Sequence, residues 1–452
     1  MLSAADNELL TRTGPGTVMG RLLRCYWLPV LMASELPEPD GEPVRVRIMN
    51  EDLLAFRDTR GRVGLVDAYC AHRGAPVFFG RNEECGLRCV YHGWKYDVDG
   101  RCVEMPNEPP DSTFKDRVRL TAYPTVERGG LVWAYLGPPD ERPALPGLEL
   151  LELPDSHLHV DKHHVESNFM QALEGDHDSS HASILHSTLE NSITDEWLAA
   201  RSRFNRAHMA DKAPRLFIVD TDYGLMTGAR RNAGDGLFLW RIVSWLRPCF
   251  SLIAVEPGNP ITLNIRIPID DENSWFFRIQ YHPTRPLTES ERSALASSST
   301  LNSQHIAGTF RSVENLDNDY LIDRELQRRS TYSGIRSIPA QDRAVTERMA
   351  PEPGHPGIVD RTRERLSSAD ATIIRIRRSL LRAARDLDNG IAPAELATPA
   401  SYWVRAPALV LPDEMAFETG AAPYLHGSLW EPQDLDAIAA AASARAGGAP
   451  AP

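Results

Sequence analysis

Four residues of metal-binding type fall in two short turns of CAHRGAPVFFGRNEECGLRCVYHG, residues 70–93. Cys70 and His72 lie in the first turn, Cys89 and His92 in the second, sixteen residues further on. Four N and S donors would satisfy a tetrahedral zinc ion. Zinc knuckles, however, more often pair two cysteines in one turn and two histidines in another. One Cys and one His per turn suits a two-iron, two-sulfide cluster of the Rieske type, in which two thiolates hold one iron and two imidazoles the other. Neutral imidazoles leave such a cluster less negative and raise its potential. Small residues follow each pair, Gly74 in one turn and Gly93 in the other, and let backbone amides approach the cluster sulfurs. The pattern favours a [2Fe-2S] cluster over zinc, and both over an incidental arrangement.

A cluster that moves single electrons needs a destination. His181 and His186, in EGDHDSSHASILH, are the next candidates. Five residues turn an ideal helix by about 500°, so only a slightly irregular helix aims both rings at one ion. Alone, the two read better as core or surface histidines; the upstream cluster makes them candidate ligands. A mononuclear non-haem iron takes two histidines and one carboxylate on one face. Spacing leaves the carboxylate open among Asp317, Asp319, Asp323, Asp342, Glu347 and Asp360.

The elements that must position these groups differ along the chain. Short alternating runs such as VRVRIMNEDLLAFRD, and the hairpin TAYPTVERGGLVWAYLG turning at Gly129-Gly130, predict an all-β first third. A proline-rich linker, GPPDERPALPG, closes it at residue 147. NFMQALEGDHDSSHASILH, 168–186, has helical composition. Five runs between 214 and 283 (RLFIVDTDYG, GLFLWRIVSWL, CFSLIAVEP, ITLNIRIPI and SWFFRIQYHP) predict an antiparallel sheet. A long helix is expected over 361–387, its arginines on a solvated face, and a short surface helix at the N-terminus. The expected fold is α+β: an all-β domain over 1–147 with an N-terminal extension, a sheet-and-helix domain over 148–440, and a flexible tail over 441–452.

Composition narrows the function class. A formal net charge of −13 argues against nucleic acid, which needs clustered Lys and Arg. No stretch approaches the apolar length of a membrane span, and MLSAADNELLTRTG lacks the pattern of a signal peptide. Four of the six cysteines cluster, which favours metal over disulfides and predicts a reducing, cytoplasmic setting. Cys85 and Cys102 stand outside the ligand pattern and read as small buried residues.

CAHRGAPVFFGRNEECGLRCVYHGWKYDVDG is similar to the Rieske segment of aromatic-ring oxygenases, Tyr91-His92-Gly93-Trp94 included, and EGDHDSSHASILH resembles their iron motif. Nearly the whole chain resembles the branch of phthalate and phenoxybenzoate dioxygenases and dehydrodivanillate O-demethylases. The resemblance implies a helix-grip-like catalytic domain and Fe(II) at His181 and His186. IPAQDRAVTERM, similar to the ligand segment of that branch, supplies Asp342 as third ligand. The resemblance implies that Asp178 bridges His181 to a cluster histidine of a neighbouring subunit, in a homotrimer or a dimer of trimers. It implies electrons from a separate flavin or ferredoxin-type reductase. His177, outside the motif, is expected to be exposed. The implied reaction is dihydroxylation of an aromatic carboxylate with O2, or alternatively O-demethylation of a methoxylated or ether-linked acid. Such a substrate needs a cation. Arg215, Arg230, Arg231, Arg241 and Arg247 lie on the predicted sheet. Arg241 is preferred because apolar and aromatic residues surround it, with a structural salt bridge as the alternative. Trp240, Phe238, Trp245 and Phe250 could wall an aromatic pocket or be plain core. PEPGHPG, 351–357, reads as an insertion that could shape the pocket mouth or a lid.

Overall fold

Alternating Val, Leu and aromatic residues broken by turn formers make the first third of the chain a set of short strands. The computed structural model describes residues 2–189, 203–296 and 303–446. Its first strands are β1 (Trp27–Met32), β2 (Val44–Ile48), β3 (Glu51–Arg57), β4 (Val63–Asp67), β5 (Arg81–Glu83) and β6 (Gly86–Arg88). β7 (Lys95–Tyr96), β8 (Cys102–Glu104), β9 (Ala122–Tyr123), β10 (Thr125–Arg128) and β11 (Leu131–Tyr135) follow. They form three antiparallel sheets, β1-β11-β10, β2-β3-β4-β9 and β5-β6-β7-β8, with the expected hairpin at Gly129-Gly130 joining β10 to β11. A small apolar core of Leu54, Phe56, Val66, Leu87, Trp94 and Tyr96 sits beneath the last two sheets and takes in Cys70, Cys89 and Cys102. Cys102 is buried as expected; Cys85 is not, because it occupies the positive-φ turn between β5 and β6 and stays half-exposed.

The larger sheet is built from β12 (Leu158–Val165), β13 (Arg215–Thr221), β14 (Gly224–Gly234), β15 (Leu237–Leu246), β16 (Phe250–Ile253), β17 (Ile261–Pro268) and β18 (Ser274–Tyr281). Its order is β12-β18-β17-β16-β15-β14-β13, antiparallel throughout. A small hairpin, β19 (Pro351–Glu352) and β20 (His355–Val359), comes later in the chain, and β21 (Ala408–Pro412) pairs with β15 where the short β16 leaves it free. The five predicted runs are β13, β15, β16, β17 and β18. β12, β14 and β21 were not predicted: β12 carries Asp, Lys and three His, β14 three Gly and an Asn, and both are held by pairing with strong neighbours rather than by propensity. β17 shows the period-2 division of labour. Ile261, Leu263, Ile265 and Ile267 enter the main core, while Asn264 and Arg266 bond Asp176 on the opposite face.

The helices are α1 (Ala4–Thr11), α2 (Val18–Arg24), α3 (Phe169–His177), α4 (Arg203–Ala210), α5 (Glu289–Ala296), α6 (Arg324–Arg329), α7 (Ile338–Thr346), α8 (Ala371–Asp388), α9 (Phe417–Leu425) and α10 (Leu435–Ala446). α1 is more than a surface helix: Asn7, Leu10 and Thr11 are buried, and Asn7 Nδ2 donates to the Val359 carbonyl at 3.0 Å. The long helix starts ten residues later than expected, at Ala371. Arg361 is fully buried ahead of it, bonding Glu174 through Nε and Nη2 at 3.1 Å each. One of the helix's arginines is also not solvated: Arg377 is buried between Glu174 and Glu364. α10 reaches Ala446, inside the expected tail; residues 447–452 lie outside the described residues. Among the described residues no helix is long and apolar enough to cross a membrane.

Candidate metal centres

The two cluster turns share one backbone design. Cys70 N–H donates to Ala75 O at 2.8 Å and Gly74 N–H to Cys70 O at 2.9 Å. Cys89 N–H donates to Trp94 O at 2.8 Å and Gly93 N–H to Cys89 O at 2.9 Å, five and four residues apart as before. Gly74 and Gly93 take φ of 69° and 78°, and a Cβ on Gly93 would meet Pro106 Cγ at 2.5 Å. The turns bring the four donors together in two pairs. Both sulfurs are buried, with Cys70 Sγ 3.2 Å from the Tyr96 hydroxyl. Both imidazoles are half-buried at the domain tip, their Nδ1 atoms 3.1 Å apart, and His72 stacks on Trp94 with centroids 4.4 Å apart. Burial and the neighbouring Cys70 push the Cys89 thiol up, while burial, His72 and Arg73 push His92 down. Two buried sulfurs and two half-buried imidazoles put the sulfur ligands inside and the nitrogen ligands outside, and a bound metal would hold the Cys89 sulfur as thiolate against its burial. The residues fit a two-iron cluster.

The second group forms where α3 ends. Asn168 caps its start by accepting from Met170 N–H at 3.1 Å, and Asp178 closes its end in extended backbone. His181 and His186 therefore do not share a helix. His181 lies in a single 3-10 turn and His186 just beyond, with ring centroids 5.2 Å apart and nearly perpendicular at 83°. Asp342 comes from the first turns of α7, which Ser337 caps at Ala340 N–H. His186 Nε2 lies 3.2 Å and His181 Nε2 3.6 Å from Asp342 Oδ1. Cis ligands around an ion with bonds of about 2.1 Å sit about 3 Å apart. Ligand atoms of His181, His186 and Asp342 lie within 4.8 Å of one another.

The other carboxylates considered for this group are occupied elsewhere. Asp317 pairs with Arg311, and Asp323 caps α6. Asp319 sits in a left-handed turn, and Asp360 accepts from Thr362. Glu347 is buried against Tyr320 and the Glu166 amide.

Each imidazole is oriented through its other nitrogen. His181 Nδ1 lies 3.5 Å from Asp178 Oδ2, and His186 Nδ1–H donates to Gln341 Oε1 at 2.7 Å. Burial alone would lower the His181 pKa; Asp178 and Asp342 outweigh it and raise it. Burial likewise opposes ionisation of Asp342, and His186 with His181 overcomes it, holding the carboxyl below its usual range. The two bare Nε2 atoms and a carboxylate facing one point are the donor set of a non-haem iron site with open positions.

Comparison with known proteins agrees. The "Rieske [2Fe-2S] domain" family matches residues 26–124 and the "LigXa C-terminal domain like" family residues 134–415. The 3-chlorobenzoate-3,4-dioxygenase oxygenase subunit of Comamonas testosteroni is 35% identical over 94% of this chain and 99% of its own length. The phthalate 4,5-dioxygenase oxygenase subunit of Pseudomonas putida is 38% identical over 88% of this chain and 90% of its own. The chain belongs to the Rieske-type non-haem iron aromatic-ring oxygenases. An oxygenase–ferredoxin complex of carbazole 1,9a-dioxygenase shares the fold at 18% identity, TM-score 0.53, over 84% of this chain and 96% of that one. The protein is thus the terminal oxygenase component, an enzyme with a Rieske [2Fe-2S] cluster and a mononuclear iron centre of Asp/His type.

Several residues of this oxygenase site carry no sequence signal. Gln341 is one, lying beside Asp342. His208 on α4 is another. The His208 ring bonds the Ala182 carbonyl, its buried Nδ1 has no partner among the described residues, and burial together with Arg241 and Arg231 pushes its pKa down to about 2. Arg231, a substrate-binding candidate in the sequence, is instead structural: fully buried, it bonds Ser179 O at 2.6 Å, Ser183 Oγ at 3.0 Å and Asp211 O at 3.0 Å, stapling the His181 loop to β14.

Of the five sheet arginines, Arg247 pairs with Glu395, Arg230 packs on Phe238 near Asp413, and Arg215 is exposed over Phe217. The Arg241 side chain makes no hydrogen bond or ion pair among the described residues. Burial alone lowers its pKa to about 10, and its charge acts on His181. The aromatic wall is not there: Trp240, Trp245 and Phe250 belong to the main core and Phe238 packs against it. Trp240 and Phe238 alternate with Arg241 on β15 and face the other side of the sheet.

Two further expectations are corrected. His177 is buried, not exposed; its Nε2 meets Ser251 Oγ at 2.9 Å and burial pushes it down to about 4. PEPGHPG forms the β19–β20 hairpin and does not border the iron group. Asn168 N–H donates to Gly357 O and Val359 N–H to Gln171 Oε1, which fixes the hairpin at the start of α3. The iron group lies beyond the other end of that helix, about 13 Å along it.

Proposed function

We propose that this oxygenase adds both atoms of O2 to the ring of an aromatic carboxylate of phthalate or benzoate type, with Arg241 holding the carboxylate. The observation that carries this is a guanidinium with no partner among the described residues, whose charge acts on His181. Arg241 is half-buried; an uncompensated cation with restricted access to water is costly, and a carboxylate with matched fork geometry offsets that cost. The relatives named for 3-chlorobenzoate and phthalate act on anions of this class.

In this reading Cys70, Cys89, His72 and His92 hold the cluster, and His181, His186 and Asp342 hold Fe(II). When bound, the cluster supplies electrons singly and the iron activates O2. The ring, O2, two electrons and two protons together balance as a cis-dihydrodiol. Asp178 and Gln341 keep the His181 and His186 Nε2 atoms free of protons and aimed at Asp342. Arg231 holds the loop that carries them.

Electrons come from a flavin or ferredoxin-type reductase, and the working form is a homotrimer or a dimer of trimers. There Asp178 touches both His181 and a cluster histidine of the next copy. Support for this lies in exposure. The Asp178 side chain remains 29% exposed, and Tyr91, 55% exposed, packs against the half-buried His92 with ring centroids 4.0 Å apart.

The test is turnover of phthalate and 3-chlorobenzoate with a compatible reductase, with product analysis, in wild type and Arg241→Leu. Loss of a buried, charge-assisted contact costs about 2–4 kcal/mol, so KM should rise about 30- to 800-fold. An unchanged KM would remove Arg241 from the reading. Conversion of a methoxybenzoate to a phenol and formaldehyde, with phthalate and 3-chlorobenzoate left unreacted, would replace dihydroxylation by O-demethylation.

A further inference from the structure

A second cluster of metal-ligating groups stands apart from the iron centre, on the edge strand of the large sheet. Asp161 and His163 lie on the same face of β12, two residues apart. Asp161 Oδ2 is 3.0 Å from His163 Nε2, and His163 Nδ1 is 2.8 Å from His305 Nε2. One donor atom from each of the three residues lies within 4.8 Å of the others, as in the iron group, with the same two-histidine, one-carboxylate composition.

The parts are held in place before any ion arrives. His163 is 1% exposed and stacks on Phe276 at 27°. His305 sits in a tight loop closed by Ile306 N–H to Arg311 O and by Val313 N–H to Gln304 O. That loop docks on β12 through His164 N–H to Phe310 O at 2.8 Å and through Arg311 to Glu166. Among the described residues His159, Asp161 and His305 line a cavity of about 360 Å³.

Hydrogen bonding sets the protonation a metal needs. With Asp161 accepting from His163 Nε2–H, His163 Nδ1 is a bare lone pair, and the only proton between the two rings is the one on His305 Nε2. Replacing that single proton by an ion with N–metal bonds of about 2.05 Å and tetrahedral angles asks the two nitrogens to part to about 3.3 Å. From 2.8 Å this is a small ring rotation. Arg343 acts on His305, and Arg278 feels Asp161. These guanidiniums disfavour weakly held ions, so the site selects the imidazole-loving end of the divalent series.

We propose that His163 Nδ1 and His305 Nε2, with Asp161 orienting His163 through its Nε2–H, form a second site for a divalent transition ion of the Zn²⁺ class. The test is a titration of the enzyme loaded with cluster and iron with Zn²⁺, counting zinc, iron and labile sulfide after removal of free ions. One zinc per chain should bind with iron and sulfide unchanged. His305→Ala should weaken it at least 30-fold while leaving iron and sulfide counts as in wild type. Asp161→Asn, which keeps the shape of the side chain, should weaken it by a smaller factor and serves if the alanine variant folds poorly. The proposal is overturned if each zinc bound displaces an iron, if no zinc binds, or if both variants bind zinc as tightly as wild type. Loss of turnover with Arg241→Leu has no bearing on these counts, so the two readings fail separately.

Discussion

Replacing Gln341 by Leu removes the group that fixes His186, and nothing in the metal's own ligand set. The Gln341 carboxamide makes two bonds: Oε1 accepts from His186 Nδ1–H at 2.7 Å, and Nε2 donates to Ile335 O at 2.8 Å. Leucine of similar size keeps the packing and deletes both. His186 then loses the partner that holds its proton on Nδ1. The tautomer with the proton on Nε2, the nitrogen facing Asp342, becomes accessible, and in that tautomer Nε2 cannot ligate. Removal of such an orienting partner costs 10–100-fold in metal affinity, about 1.4–2.7 kcal/mol. The Ile335 carbonyl keeps only a long bond from Ser333 Oγ at 3.5 Å, and the two lost bonds take about 1–3 kcal/mol from folding stability.

The assay is reconstitution of iron-depleted enzyme with Fe(II), following the mononuclear metal while the visible absorption of the cluster reports its integrity. Iron affinity should fall by the stated factor with the cluster spectrum unchanged. Gln341→Glu, which restores an acceptor for Nδ1–H, should recover most of the affinity. A Gln341→Leu enzyme that binds Fe(II) within threefold of wild type would refute the reasoning, because the tautomer would then be set by something else.

Asp178→Asn should retain cluster and iron, by metal and sulfide count, yet lose turnover by two orders of magnitude or more. Full turnover would end its proposed bridging role. Iron affinity should fall as pH drops from neutral, because the raised His181 pKa makes protons compete for Nε2; equilibrium titrations at several pH values would show it. His177 is neutral when folded, with its pKa down to about 4, but takes a proton near 6.5 when unfolded. The unfolded state therefore binds more protons between those values, and stability should fall by about 3 kcal/mol as pH drops from 6.5 to 4. In His177→Gln, denaturant unfolding across that range should show a visibly flatter slope.

What the sequence revealed of this protein follows the reach of its local signals. The four cluster ligands lie on two turns 23 residues long in all, each turn closed by its own backbone bonds, so spacing alone constrains their geometry. The five strand runs were legible because Val, Ile, Leu and aromatic residues fill them. β14 was not, because its place depends on β13 and β15 on either side. His177 defeated local reading for the same reason: only the packing of α3 on β16 puts Ser251 opposite it.

The iron site shows most sharply where legibility stops. Its three donors come from two segments more than 150 residues apart, and types and spacing could narrow the third to six carboxylates but not choose. What chooses among them in the structure is occupation: five already hold a turn, a cap, a guanidinium or a buried hydroxyl, and Asp342 alone faces two imidazoles. The partners behind those imidazoles are unequal. His181 leans on a carboxylate, which shares charge with the ring and strengthens it as a donor; His186 leans on a neutral amide, which fixes the ring without adding charge. That asymmetry places the negative charge on the Asp178 side of the iron, where the carboxylate is partly exposed, and keeps it off the Gln341 side, which is buried. An electron arriving from outside the chain would enter on the side whose charge can respond to it, and a chain scanned residue by residue gives no sign of that division because Gln341 matters only through where α7 puts it.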